Sequence, residues 1–594
     1  MTIDSATEII YRWGSTADLK LFIFDNCRDE IVPFLQAMDE IQQTIDSTGS
    51  EDERKEAESV IQIAVSRLVK EFHNILKVNA KVFRRMNNLN AKRGFMSSGH
   101  NSFNDSTTMS DSSSSNIEVY EDDHVKRNTL STEAINDLRS IAVRMNSCGF
   151  IHECLKVYVS ERKSGIEARL RHMDIEKLSR DSCRRLEWAV LKPKIKVLIR
   201  AAIICFRYYF VNEKQLCDQI FHGLGDKTTD SCFMDTVTDH TIQLFDNAEA
   251  LCSIPPASER LFKILDLHRA LFDLIPWIQS LEFLSTKAIN QTIPKLADKA
   301  NEIFRNFEKS LVNEKSPVFD HAEPIHSLSK YVLNYVYKLC DHKITLMRLS
   351  LPNLPFMDVD GNEATSFSAH VDWIIMRLVS NLEDKSKLCK DPPASCFFAM
   401  NNFHFIIQEI HAHPELQRNV SYDNFMSLSG KFKHARSEYL KLTLNVVLRS
   451  LRDEGLNKIK ILSFSFRVSK MIYRLKRFNH GFEKLQKDLG KLVVSDHELV
   501  AELRRLVAET VVPAYTLFLL HTKKGARLEA HLKYSVEEIE FAIQKFFHWS
   551  SCVAECPKVL SSEISHRNKQ TRFHPSKQWR SLRVYIGGAK FFFI

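Results

Sequence analysis

Glycine and proline are scarce, at 16 each in 594 residues. Usage that low excludes a collagen-like repeat and argues against a fold rich in tight turns. No run of alternating strands joined by Asn-Gly or Asp-Gly turns is visible. Cysteine pairing is missing too. The 13 Cys are scattered singly, without a CxxC pair, and only Cys552 and Cys556 stand close together. Buried free thiols in a reducing cytosol account for that pattern, and the sequons at Asn104, Asn290 and Asn419 then carry no meaning. The longest apolar run, Ala201 to Phe210, is ten residues and contains Arg207, whereas a bilayer span needs about 20. Met1 to Lys20 has no basic start followed by an apolar core, so no signal peptide is expected and any membrane contact is expected to be peripheral.

Catalytic motifs are also lacking. Gly223, Gly225, Lys227 and Thr228 begin to look like a phosphate loop, but the four-residue gap is missing and no strand precedes them. Asp358 and Asp360 open like a calcium loop, yet Gly361 falls at position four and Ala369 stands where a bidentate Glu belongs. His411 and His413 have no third ligand at helical spacing, and neither HExxH nor GxSxG occurs. No enzyme, metal or cofactor is expected.

What is present is helical periodicity. Ile31, Phe34, Met38, Ile41 and Ile45 keep a three-four spacing, as do Ile61, Val65, Leu68, Phe72, Ile75, Val82 and Met86, with Asn79 as the one polar interruption. A heptad seam with a single Asn suits a coiled coil that specifies its partner; a hairpin folding onto the protein's own body fits the spacing equally well. Residues 95–125 are Ser-rich and too poor in apolar groups to offset chain ordering, so they read as a disordered linker. After them Ser131 or Thr132 can cap a helix with the face Ile135, Leu138, Ile141, Ala142 and Met145. A second helix runs through Cys154, Leu155 and Tyr158, and a third from about Asp181 to Tyr209 is interrupted at Pro193. No period of 20 to 50 residues repeats. The expected fold class is all-α, with helical bundles in series. The expected segments are a partner-binding coil over 1–94, the linker, bundles over 126–320 and 321–455, a basic C-terminal bundle over 456–549, and a divergent basic tail over 550–594.

Charge is concentrated in one place. Lys431 to Lys491 holds sixteen Lys and Arg against five Asp and Glu, a net of +11 in 61 residues, while the whole chain nets +8. Phe464, Val468, Met471, Leu475, Phe478, Phe482, Leu485 and Leu489 form one apolar seam on a long helix. Arg467, Lys470, Arg474, Arg477, Lys484 and Lys491 lie on two columns beside it. Solvated faces usually mix signs, because like charges a turn apart repel. A stripe of one sign points to an acidic partner: an anionic membrane, a nucleic acid or an acidic protein.

Several strings occur in a recognisable order: Ile325 to Tyr335 (IHSLSKYVLNY), Lys385-Ser-Lys387, Phe397 to Ile406 (FFAMNNFHFI), Val511 to Tyr515 (VVPAY) and Leu532 to Ser535 (LKYS). Leu186-Glu-Trp188 and Leu216-Cys-Asp218 precede them. Over roughly Leu130 to Trp549 the chain resembles the seventy-kilodalton subunit of the exocyst, in its plant version. The resemblance implies an elongated rod of stacked helical bundles that tethers secretory vesicles to the plasma membrane. It also implies a basic C-terminal bundle that binds phosphoinositide, and an N-terminal coil that packs with other exocyst subunits. Expected partners are those subunits, an anionic phosphoinositide membrane and small GTPases, with the protein cytoplasmic and peripheral to the plasma membrane. Where the family carries Lys-Tyr-Ile-Lys-Tyr this chain has Ala530-His-Leu-Lys-Tyr534, so of that lysine pair only Lys533 stands, with Lys523, Lys524 and Arg527 nearby. The 45 residues after Trp549 hold eight Lys and Arg against two acids and resemble nothing familiar; they are expected to lack fixed structure. Two rival readings are a nucleic-acid binder and a pure protein scaffold. No zinc finger, RNP string or GXXG loop is visible, so no nucleic acid is expected.

Overall fold

The computed structural model describes residues 3–14, 21–96, 130–281, 286–314, 324–349, 363–452, 464–522 and 531–549, with the side chains of 80–96 and of a few residues at other helix ends left undescribed. The Ser-rich linker, the Asp358–Gly361 string, Lys523, Lys524, Arg527 and the tail all lie outside the described residues. The chain divides into two compact units, Met1–Asn306 and Phe307–Ile594.

The first unit opens with α1 (Ile3–Gly14), α2 (Ile31–Ser47) and α3 (Glu51–Met96). Ala57, Val60, Ile61, Ala64, Val65, Leu68, Phe72 and Ile75 are buried along α3. They face α1 and α2 on one side and, on the other, α4 (Thr132–Ser147) and α5 (Ile151–His172). Of the two readings of the N-terminal seam, this is the hairpin on the protein's own body: the described part of the seam is filled by the chain's own helices. Asn79 donates to the carbonyl of Ile75 in its own helix at 2.8 Å. Deeper on α3, the fully buried Glu71 accepts from the N–H groups of Ile23 (2.9 Å) and Phe24 (3.4 Å) and from Arg67 Nε (2.9 Å). A carboxylate thus satisfies the open N–H groups at the start of the short helix Ile23–Asn26.

Ser131 caps α4 by accepting from the N–H of Ala134 at 3.1 Å, and the expected face of that helix is buried apart from the half-buried Ile135. The third helix departs from expectation. The break falls at Leu186 and Glu187, both extended, and α6 (Trp188–Ile204) runs through Pro193. Pro193 sits in the second turn, where it cannot donate to the carbonyl of Ala189. A π-turn, Cys205–Tyr209, joins α6 to α7 (Phe210–Ile220). Gly223 and Gly225, at φ +85° and +96°, then make the turn into α8 (Asp226–Leu251). Both take the left-handed region that glycine tolerates, so the string that resembles a phosphate loop is a turn. Helix α9 (Leu261–Asp273) packs on α6, and α10 (Thr286–Val312) follows.

The second unit contains α11 (Ser327–Asp341), α12 (Glu363–Lys387), α13 (Pro392–Ala412), α14 (Tyr422–Leu451), α15 (Phe464–Leu489), α16 (His497–Thr522) and α17 (Val536–Ile543). Neighbouring asparagines on α13 face different elements because successive helical residues point about 100° apart. Asn402 Oδ1 accepts from the His326 N–H (3.0 Å) and the Ser329 hydroxyl (2.8 Å) at the start of α11. Asn401 Oδ1 accepts from the Ser495 N–H (3.3 Å) just before α16. Strands among the described residues are β1 (Val493–Val494) and β2 (His548–Trp549), paired in parallel. Arg504 reinforces that latch by donating to the carbonyls of Phe546 (2.7 Å) and Phe547 (3.0 Å). The observed fold class is all-α, as expected.

Candidate functional site

The described residues of the basic stretch fall on α14, on α15 and just past their ends. On α15 the seam is buried from Leu475 onward: Leu475, Phe478, Phe482, Leu485 and Leu489. Val468 and Met471 are half-buried. Phe478 stacks on Tyr515 of α16 at 4.7 Å between ring centroids, and Phe482 meets Tyr534 edge-on at 5.6 Å. Tyr515 Oη donates to the carbonyl of Tyr534 at 2.8 Å. These contacts fix the rotation of α15 and therefore decide which of its cations face water.

That rotation sorts the expected residues. Arg477, Lys484 and Lys491 are exposed. Lys470 and Arg474 are only half-buried at the edge of the seam, and Arg474 Nη2 donates to the carbonyl of Arg452 at 2.5 Å, just past the end of α14. This corrects the reading of one exposed stripe: Arg474 is a structural cap for a helix terminus that would otherwise leave carbonyls open. Arg467 lies on α15 with its side chain outside the described set. Lys533 is exposed, joins the helix from outside and pairs with Glu483, which holds the Glu483 carboxyl below its ordinary range.

The outward face also carries Lys476, His480 and Lys487, all exposed. Sequence reasoning misses them when the columns are taken beside the seam rather than opposite it. At about 100° per residue, Lys476 and Lys487 lie across the helix from Phe482 and Leu489, so the signal is present in the sequence. Three other cations of the stretch have carboxylate partners: Lys431 pairs with Glu383, Arg436 with Glu502, and Lys441 with Glu438 at 3.2 Å. The exposed cations along the outward face of α15 are Lys476, Arg477, Lys484 and Lys487, with Lys491 just past its end and Glu483 and Asp488 among them. Such a face can hold phosphates electrostatically. Its one exposed aromatic among the described residues is Tyr473, so it offers no row of rings for stacking bases.

Among the described residues, no group of three or more His, Cys, Asp or Glu is placed to hold a metal ion, and no helix is long and apolar enough to cross a membrane. His411 is exposed with its ring against Phe425, and His413 pairs with Glu409 at 3.3 Å.

Helices packed on helices, with a cationic outer face on α15, define an all-α protein. Residues 196–545 match the C-terminal family of the Exo70 exocyst complex subunit, and residues 2–78 match the N-terminal family of exocyst complex component Exo70. The chain belongs to the Exo70 family of exocyst subunits. It is 31% identical over 440 residues to exocyst complex component EXO70B2 of Arabidopsis thaliana, covering 71% of this chain and 70% of that protein. Against EXO70B1 of the same plant it is 29% identical over 432 residues, covering 70% and 67%. The crystal structure of the S. cerevisiae exocyst component Exo70p has the same fold, with a TM-score of 0.54 at 12% identity over 92% of this chain and 99% of that one.

Proposed function

We propose that this chain is a non-enzymatic exocyst-type subunit that joins secretory vesicles to the plasma membrane before fusion, acting in the cytoplasm at the membrane periphery. Its partners in this reading are other exocyst subunits, small GTPases and a leaflet containing phosphoinositide. The observation that carries the lipid contact is the outward face of α15, where Lys476, Arg477, Lys484 and Lys487 are exposed, with Lys491 just past its end, while Phe478 and Phe482 are buried. A cation near an anionic leaflet contributes about 1 kcal/mol, so four contribute roughly 4 kcal/mol, or about a thousandfold in partitioning.

The test is cosedimentation with phosphatidylcholine vesicles that contain or lack phosphatidylinositol 4,5-bisphosphate, with duplex DNA as a third arm at equal salt. The full chain should pellet with the phosphoinositide vesicles alone. Changing Lys476, Arg477, Lys484 and Lys487 together to Glu should abolish that binding and leave the helical circular dichroism intact. Unchanged vesicle binding in the variant would defeat the assignment, and retention on DNA alone would favour the nucleic-acid reading.

A further inference from the structure

We propose that the outward column of α6, formed by Lys192, Lys196 and Arg200 and continued by Arg207 in the π-turn, docks an acidic helix of a partner protein. The column lies in the first unit and owes nothing to α15. From Trp188 to Asn212 the chain carries five cations and no acid. The next acid, Glu213, is buried and held by Arg162 at 2.7 Å. One of the five, Lys194, turns aside to Glu176 at 3.1 Å. Lys192 and Lys196 are exposed, and neither has a carboxylate partner among the described residues. The opposite side of the helix is core: Leu191, Ile195, Leu198, Ala201 and Ala202 are buried.

Residues four apart on a helix repeat every ~6 Å along its axis. Carboxylates at i, i+4 and i+8 of a second helix have the same repeat, so an antiparallel or parallel partner can meet Lys192, Lys196 and Arg200 in register. Flanking the column, Ala189 and Pro193 are exposed and short, which lets a second helix backbone approach closely. At the far end Trp277 is 41% exposed, with the Arg207 guanidinium 6.0 Å from its ring centroid. A large amphipathic ring beside a cation is the kind of anchor that protein interfaces favour. Lipid phosphates impose no such register, and the short flanking side chains offer a leaflet little to insert. The mutual repulsion of the column is relieved when opposite charges are brought against it, and exposed pairs of this kind set orientation and association rate.

The test uses the full chain and a fluorescent alanine-based helical peptide with Glu at every fourth position, read by anisotropy. A peptide of the same composition with its Glu residues scattered around the helix is the control. Wild type should bind the in-register peptide about tenfold tighter than the control, and Lys192→Glu/Lys196→Glu should lose that advantage. Vesicles of phosphatidylserine and phosphatidylcholine should bind wild type and variant equally. Equal binding of the two peptides would overturn the proposal, as would an unaffected variant or a variant that loses vesicle binding instead. Should the Glu variant unfold on heating earlier than wild type, Lys192→Gln/Lys196→Gln decides: it must lower peptide affinity, and an unchanged affinity overturns the proposal.

Discussion

Glu213 shows how much one side chain can carry. It is buried on α7 and accepts from the Tyr158 hydroxyl at 2.7 Å and from Arg162 Nε at 3.0 Å and Nη2 at 2.7 Å. Replacing Glu213 with Gln keeps the volume but leaves the Arg162 charge without its partner, and breaking a buried pair in this way costs about 3–5 kcal/mol. Urea denaturation should show a loss of that size in the first unit; a loss under about 1 kcal/mol would mean that the pair is not holding α5 to α7. His404 gives a pH dependence. Burial pushes its imidazole below the ordinary histidine range, and Asp496 and Glu502 pull the other way without prevailing. The unfolded chain takes up this proton near pH 6.5, whereas the folded chain resists it until lower pH. Stability from this group is therefore complete above about pH 6.5 and declines as pH falls below it. The fall in melting temperature between neutral and mildly acidic pH should be shallower in His404→Gln than in wild type, and equal slopes would refute the role of His404.

At the scale of elements, α15 separates two kinds of cation that look alike in sequence. Arg474 closes the end of α14 through the carbonyl of Arg452, so Arg474→Glu sets a carboxylate against that carbonyl and should cost about 1–3 kcal/mol. Arg477 faces water, and Arg477→Glu should change stability by no more than about 0.5 kcal/mol. Thermal melts of the two single variants test this directly; similar losses would show that the helix rotation is misassigned. The N-terminal hairpin makes a further case. Because α3 buries its seam partly against α4 and α5, deleting residues 1–94 uncovers apolar surface on those two helices. The truncated chain should aggregate or be digested faster by protease than the full chain. A monomeric product with the full chain's protease resistance would instead support a separable docking segment.

At the scale of the whole molecule, charge is distributed rather than uniform. Taking the +11 of Lys431–Lys491 and the +6 of residues 550–594 from the chain's +8 leaves −9 over the other 488 residues. Binding through the exposed face of α15 should accordingly weaken as salt rises, since exposed charges are screened within about 8 Å at physiological ionic strength. Vesicle binding that is indifferent to salt would exclude that face as the contact.

Much of this protein was legible without coordinates. The three-four spacing and the shortage of Gly and Pro determine an all-α chain, because helix formation is local and an apolar stripe must be buried. Ser131 as a cap and the buried seam from Leu475 to Leu489 follow from the same local rules. Residues of the family strings also hold elements in place. Asn401 and Asn402 tie α13 to two other helix starts, Tyr515 closes on Tyr534, and Ser535 with Glu538 forms the capping box of α17. Tertiary structure alone decided the rest. Periodicity says that a stripe is buried but not against what, so only packing could give the α3 seam to α4 and α5 rather than to a foreign helix. Nor does it fix how far a helix is rotated within its bundle. That was set by Phe478 on Tyr515 and Phe482 on Tyr534, contacts across more than 35 residues of sequence, and it turned Arg474 towards the end of α14.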